Sequence, residues 1–156
     1  MKTLIIYDSL YGNTERIARA VAQGLPSRNA VEVVPVKEAT YEKMRDVELL
    51  VVGSPTQGGQ PTKAVRQFLE EMMNRNVLTG MKVAVFDTGL RMQDLNFALK
   101  LLVKMIGYAA PKMAAVLKKR GGILKVPPEG FFVTGKSGPL LGGEVERAQS
   151  WARLLV

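Results

Sequence analysis

The sequence contains no cysteine and no histidine. Without cysteine there is no disulfide, no thiolate nucleophile and no iron–sulfur ligation, and without histidine there is no imidazole base and no histidine-bound metal. Hydrolases and metalloenzymes built on those groups are excluded. Redox chemistry, if the chain performs any, has to reside on a bound organic cofactor. Long apolar runs are missing as well: none approaches the roughly 18 residues of a membrane-spanning helix. Met1 and Lys2 lead into a strand-length run (residues 3–7) with no small-residue cleavage site, so neither a signal peptide nor a membrane span is expected, and the expected compartment is the cytoplasm. Acidic residues are in deficit, 14 against 22 lysines and arginines, for a net charge of +8. The excess is uneven, because residues 1–78 carry 10 basic and 9 acidic side chains whereas residues 79–156 carry 12 and 5. Such a surface can attract an acidic protein, a membrane face or nucleic acid, and a basic domain with no such partner fits the same numbers. What remains is ordinary: 156 residues with 47% hydrophobic and 23% charged side chains, the profile of a single domain over 1–156 with one packed core.

Four short aliphatic runs, Leu4–Tyr7, Val31–Val36, Leu49–Val52 and Val83–Phe86, are bounded by glycine, serine, aspartate or proline and read as buried strands. Helical patterns separate them. Ile17, Val21 and Leu25 recur every four residues, Val65, Leu69 and Met72 or Met73 stripe another segment, and Thr40–Asp46 is a weaker and shorter candidate. Strand followed by helix, repeated, means a parallel sheet with right-handed crossovers. After the fourth strand Leu95–Ile106 is apolar on nearly all faces except Lys100 and Lys104, which calls for cover on most sides. A further helix is expected from about Ala110, with Pro111 in its first turn and Lys118, Lys119 and Arg120 before the stop at Gly121. Ile123–Val126 and Phe131–Val133, split by Pro127 and Pro128, suggest a fifth strand interrupted in its middle. A closing helix over Gly143–Leu155 would bury Val145, Ala148, Ala152 and Leu155.

In open parallel sheets ligands bind at the carboxyl ends of the strands near the switch point, which directs attention to the loops beginning at Asp8, Gly53 and Asp87. The first is the informative one. Ser9, Leu10, Tyr11, Gly12, Asn13 and Thr14 leave a buried strand and turn straight into an amphipathic helix. Gly12 permits a turn that gathers backbone N–H groups above the helix N-terminus, and the helix dipole adds positive potential, so this is a phosphate cradle that needs no lysine. The plainer alternative is a tight turn whose serine and threonine only cap the helix.

The segment Ser9–Thr14, between an aliphatic strand ending in Tyr7 and a helix holding Ile17 and Ala18, resembles the FMN phosphate loop of the flavodoxin family. The likeness spans most of the chain: Gly53–Gly59 resembles the second flavin loop, Phe86–Thr88 the start of the third, and the stretch from Pro127 to Val133 with Gly138, Pro139 and Leu140 is similar to small prokaryotic flavodoxin-domain proteins. The resemblance implies an α/β fold, a flavodoxin-like doubly wound five-stranded parallel sheet in a three-layer sandwich, with the apolar helix after strand four as an addition. It implies FMN as cofactor, electron transfer as function and redox proteins, acidic ones among them, as partners. Ser9 to Thr14 would hold the phosphate. Ser54, Pro55, Thr56, Gln57, Gly58 and Gly59, with Asp87, Thr88, Gly89, Leu90, Arg91 and Met92, would flank the ribityl chain and the isoalloxazine. Gly58 and Gly59 suit a peptide that approaches a planar ring and reorients at low cost. A positive protein should also favour the anionic reduced flavin.

The sequence departs from the family in two respects. It is basic where flavodoxins are typically acidic, and Gln57 and Leu90–Met92 stand where ring-stacking aromatics are common. Leu90, Met92 and the 95–106 helix are candidates for covering the ring; alternatively that helix fills a core gap or forms a homodimer interface. Two other functions stay open: an NAD(P)H-dependent flavin or quinone reductase of the same fold, in which the helix builds a second pocket, and a binding subunit that has lost FMN. Three signals are set aside. Gly130–Ser137 fits GxxxxGK[ST], but its middle reads as strand and no helix follows. Asp8 and Asp87 lack a phosphorylatable partner after the third strand, where Gly53 and Ser54 stand. Lys118, Lys119 and Arg120 suit a helix C-terminus better than a nucleic-acid patch.

Overall fold

The aliphatic runs form the centre of one parallel sheet: β1 (Lys2–Tyr7), β2 (Ala30–Pro35), β3 (Leu49–Pro55) and β4 (Lys82–Leu90). A computed structural model describes residues 1–156, the side chain of Met73 apart; the expectation that Met73 joins a buried stripe lies outside the described residues. The strand order is β2-β1-β3-β4, followed by β5 (Ile123–Leu124) and β6 (Glu129–Val133), both of which pair with β4. The order reverses between β1 and β3, which opens a crevice at their carboxyl ends. The fifth strand is interrupted as expected. Residues 125–128 stand opposite only two residues of β4, 84 and 85, and Pro127 and Pro128, which offer no N–H, occupy the bulge.

Side chains alternate across the sheet and build two cores. Leu4, Ile6, Leu50, Val52, Val83 and Val85 pack on α2 (Lys63–Asn74) and α4 (Ala109–Lys119), whereas Ile5, Tyr7, Leu49, Val51, Ala84 and Phe86 pack on α1 (Asn13–Gly24) and α5 (Glu144–Ala152). Burial on both faces is why the strands read as unbroken aliphatic runs. The second core is keyed by Phe86, Phe131 and Trp151, three rings with centroids 5.9 to 6.2 Å apart in edge-to-face contact. Gly53 makes room for this cluster: a Cβ there would lie 2.1 Å from the Phe86 ring.

The structure corrects several expectations. Thr40–Asp46 holds no α-helix; the crossover from β2 to β3 is made by two 3-10 turns, Val36–Glu38 and Glu42–Met44, which anchor Val36 and Met44 in the core. Val145 is only half-buried, and the closing helix seats Trp151 instead, together with Ala148, Ala152 and Leu155. The apolar helix, α3, spans Phe97–Ile106 and buries none of its residues, so it fills no core gap. No helix among the described residues is long and apolar enough to cross a membrane.

Candidate functional site

The crevice is framed by the ends of β1, β3, β4 and β6, and the β1–α1 loop forms one wall. Asp8 N–H donates to the Gly53 carbonyl at 3.1 Å and Ser9 N–H to Asp8 Oδ1 at 3.0 Å, which fix the start of the loop. Gly12, at φ +86°, sits at the N-cap, where its lack of a Cβ allows the left-handed turn into α1. The hydroxyl of Ser9 caps the helix by accepting the Glu15 N–H at 3.3 Å. Among the described residues the backbone N–H groups of Leu10, Tyr11, Gly12, Asn13 and Thr14 meet no protein acceptor. These unpaired donors at the positive end of a helix dipole suit an anion. Ser9 thus caps as the plainer alternative expects, Thr14 turns its hydroxyl to Thr88 instead, and the amides from Leu10 to Thr14 are left without a protein acceptor.

A fourth segment closes over this loop. The Asn13 side-chain amide donates to the Ser137 carbonyl at 3.1 Å, and Gly138, at φ +90°, lies so close that a Cβ would come within 2.5 Å of that amide. Residues 134–139 are thereby held against the N-terminus of α1, and Lys136 is brought to the crevice.

The β3–α2 loop is pinned by a two-residue turn. Gln57 and Gln60 exchange N–H···O bonds of 2.9 and 3.0 Å around Gly58 and Gly59, both left-handed at φ +53° and +74°, the signature of a type I′ hairpin. A Cβ on Gly59 would lie 2.7 Å from the Ile106 carbonyl, so this turn abuts the end of α3. Ser54 is fully buried and structural, since its hydroxyl accepts the Thr62 N–H and donates to the Pro55 carbonyl.

Strand β4 runs on to Leu90 because β6 pairs with it from Phe86 to Leu90, so Asp87–Leu90 is sheet and not loop. Pleating alone then decides their fates. The Thr88 hydroxyl hydrogen-bonds the Thr14 hydroxyl at 2.7 Å, joining β4 to the β1–α1 loop. Asp87 is 2% exposed, and its Oδ2 accepts the Ala110 N–H at 2.7 Å in the first turn of α4. Burial pushes its carboxyl up to about 6, against the pull of the Ala110 and Ala109 N–H groups and the Thr56 hydroxyl. Tyr108 is raised by burial and then by the Asp87 charge, and its hydroxyl donates to the Leu90 carbonyl at 3.0 Å. Asp87 is thus a helix-capping group facing away from the crevice.

These elements enclose a cleft of about 420 Å³. Of the residues singled out from the sequence, Ser9, Leu10, Tyr11, Asn13, Thr14, Pro55, Thr56, Gln57, Thr88, Gly89 and Leu90 line it. Gly12, Gly58 and Gly59 shape its loops without lining it, Ser54 and Asp87 face the interior, and Arg91 and Met92 line a neighbouring depression. Arg91 is engaged with Asp94 at 2.9 and 3.1 Å, and that bond raises its guanidinium above the ordinary value. No residue of α3 lines the cleft. Val133 and Lys136 line the cleft without having been singled out. The available signal was positional: the segment after β6 opens at the same sheet edge as the other three loops. Tyr11 is the single aromatic among the lining residues, and none comes from the second or third loop.

The flavodoxin family model matches residues 5–125. The fold is similar to a flavodoxin from the domain Archaea (TM-score 0.77, 19% identity, 97% of this chain and 94% of that one) and to flavodoxin 2 of Bacillus cereus (TM-score 0.75, 24% identity, 99% and 97%). It is also similar to a rubredoxin oxygen:oxidoreductase from Desulfovibrio gigas (TM-score 0.73, 19% identity), covering 99% of this chain but 35% of that larger one. At such identities the structural likeness speaks for the fold, and the family match over most of the chain speaks for descent: with its strand order and its glycine-turned loop at the switch point, the chain belongs to the flavodoxin family.

Proposed function

We propose that the cleft holds FMN and that the protein transfers electrons through it. The observation that carries this reading is the set of five acceptor-less N–H groups from Leu10 to Thr14, on a loop that lines a cleft of small-molecule size. Those amides hold a phosphate, and the Lys136 ammonium adds a positive charge at the same end. Pro55, Leu90 and Val133 supply apolar wall, and Gln57 and Thr56 the polar rim. FMN, when bound, supplies a ring that accepts and releases electrons; the protein positions that ring and limits water and partner access to it. No side chain is assigned as acid, base or nucleophile. A redox partner protein is part of this reading.

Titration of flavin fluorescence with the purified protein tests it, using FMN and riboflavin in parallel. FMN should bind at least about 100-fold more tightly, since the phosphate gains charge-assisted bonds of roughly 1.5–3 kcal/mol each. Equal affinity for the two flavins would remove the basis for the proposal.

One observation favours a second reading, an NAD(P)H-dependent flavin or quinone reductase. A depression of about 530 Å³ beside the cleft is lined by Arg91, Met92, Gln93, Lys100, Lys104, Tyr108 and Phe132, cationic groups over an apolar floor. FMN-dependent oxidation of NADH or NADPH by the protein would establish that reading, and its absence with FMN bound would leave the carrier.

A further inference from the structure

Helix α3 is well specified locally yet buries none of its residues fully, with only Lys100, Val103 and Ile106 half-covered. Asn96 caps it, its side chain accepting the Leu99 N–H at 2.9 Å, and Gly107 at φ +72° ends it. Between these caps stand Phe97 at 82% exposure, Leu101 at 53% and Met105 at 79%, with Leu99 and Leu102 also exposed. Phe97, Leu101 and Met105 are four residues apart and so form one outward stripe. Lys100 and Lys104, each one position earlier than Leu101 and Met105, flank that stripe along its length. From Leu95 to Pro128 the chain has seven lysines and arginines and no carboxylate. Soluble surfaces seldom expose an apolar stripe of this kind without a partner.

The charge pattern calls for an anionic partner. A second copy would set Lys100 and Lys104 near their own symmetry mates on two chains of +8 each. At 1.5 Å per residue the helix is also only about 15 Å long, a few hundred Å² of face at most, against about 800 Å² per partner in a stable interface. An anionic bilayer has neither difficulty. A helix lying in the interfacial plane buries Phe, Leu and Met at the acyl boundary while lysines extend to phosphate headgroups.

We propose that α3 docks the protein reversibly on an anionic lipid surface, with Phe97, Leu101 and Met105 in the acyl boundary and Lys100 and Lys104 among the headgroups. The docked helix brings the cleft rim to the membrane, since its last carbonyls abut the Gly59 turn. The proposal does not require flavin.

Sedimentation of the full chain with vesicles of phosphatidylcholine mixed with phosphatidylglycerol, and with vesicles of phosphatidylcholine alone, provides the test. Binding should be at least about tenfold stronger to the mixed vesicles and weaken with salt. The triple variant Phe97→Ser/Leu101→Ser/Met105→Ser should lose about tenfold or more. Every one of these side chains is exposed, and unchanged Trp151 fluorescence checks the fold. Lys100→Glu/Lys104→Glu, which leaves the apolar stripe intact, should lose binding to the mixed vesicles specifically. Failure to bind either vesicle, undiminished binding by the stripe variant, or a dimer in solution that the stripe variant dissolves would each overturn the proposal.

Discussion

Asp87→Asn separates the electrostatics of a buried capping group from its geometry. In the folded protein the carboxyl is 2% exposed, accepts the Ala110 N–H and titrates at about 6, whereas an unfolded chain titrates near 3.9. Between those values the folded state binds more protons than the unfolded state, so stability falls as pH rises through the window. The contribution is fully favourable below about pH 4 and is lost by about pH 6 to 7. About two pK units correspond to about 3 kcal/mol at most. Asparagine keeps the shape and the acceptor for Ala110 but has no charge to desolvate. The stability of Asp87→Asn relative to the native protein should therefore increase by up to about 3 kcal/mol between pH 4 and pH 7. Glu144, held below the ordinary carboxylate range mainly by Arg147 against the opposing effect of burial, loses its contribution only as pH falls below about 4, and it cancels between the two proteins. Urea unfolding followed by Trp151 fluorescence at a series of pH values gives both curves. A flat difference curve, or one that declines with pH, would refute the reasoning.

Gly53→Ala should destabilise by about 3 kcal/mol or prevent folding, because the added methyl meets the enclosed Phe86 ring at 2.1 Å; the urea midpoint reads this directly. Arg147→Met removes the guanidinium that bonds Glu144 and Glu129 and lies 4.4 Å over the Phe131 ring. Its cost should be about 2 kcal/mol at pH 7 and smaller in acid, where Glu144 of the variant, buried and without its guanidinium, takes up a proton and is no longer an unpaired buried charge; unfolding at neutral and acidic pH distinguishes this from lost packing alone. Lys136→Gln should weaken FMN about 3- to 10-fold at low salt and leave riboflavin affinity unchanged, as measured by fluorescence titration; an equal loss for both flavins would place Lys136 away from the phosphate.

The central strands were legible because both faces of β1, β3 and β4 are covered, which leaves runs such as Leu49–Val52 with no polar position to confuse the reading. The β1–α1 loop was legible because its chemistry is local: strand, glycine turn and helix start lie within seven residues. Asp87 was misplaced because its role depends on where β4 ends. Pairing with β6, more than 40 residues away, extends the strand and turns this side chain toward α4. Lys136 was passed over because its place in the cleft depends on the Asn13–Ser137 bond across 124 residues. The all-round apolarity of 95–106 called for cover on most sides, yet the helix finds no core, because α2 and α4 already cover that face of the sheet.

The presence of a phosphate-bearing flavin in the switch-point cleft is tested most directly by the visible absorption spectrum of the protein after incubation with FMN and desalting. Retention of the two-band spectrum of oxidised flavin, at close to one FMN per chain and with riboflavin washed away under the same conditions, is the predicted result. A colourless protein after desalting would contradict it, and would mean that without stacking aromatics from the second and third loops, worth roughly 0.5–1.5 kcal/mol per pair, the five amides and Lys136 do not suffice to hold the cofactor.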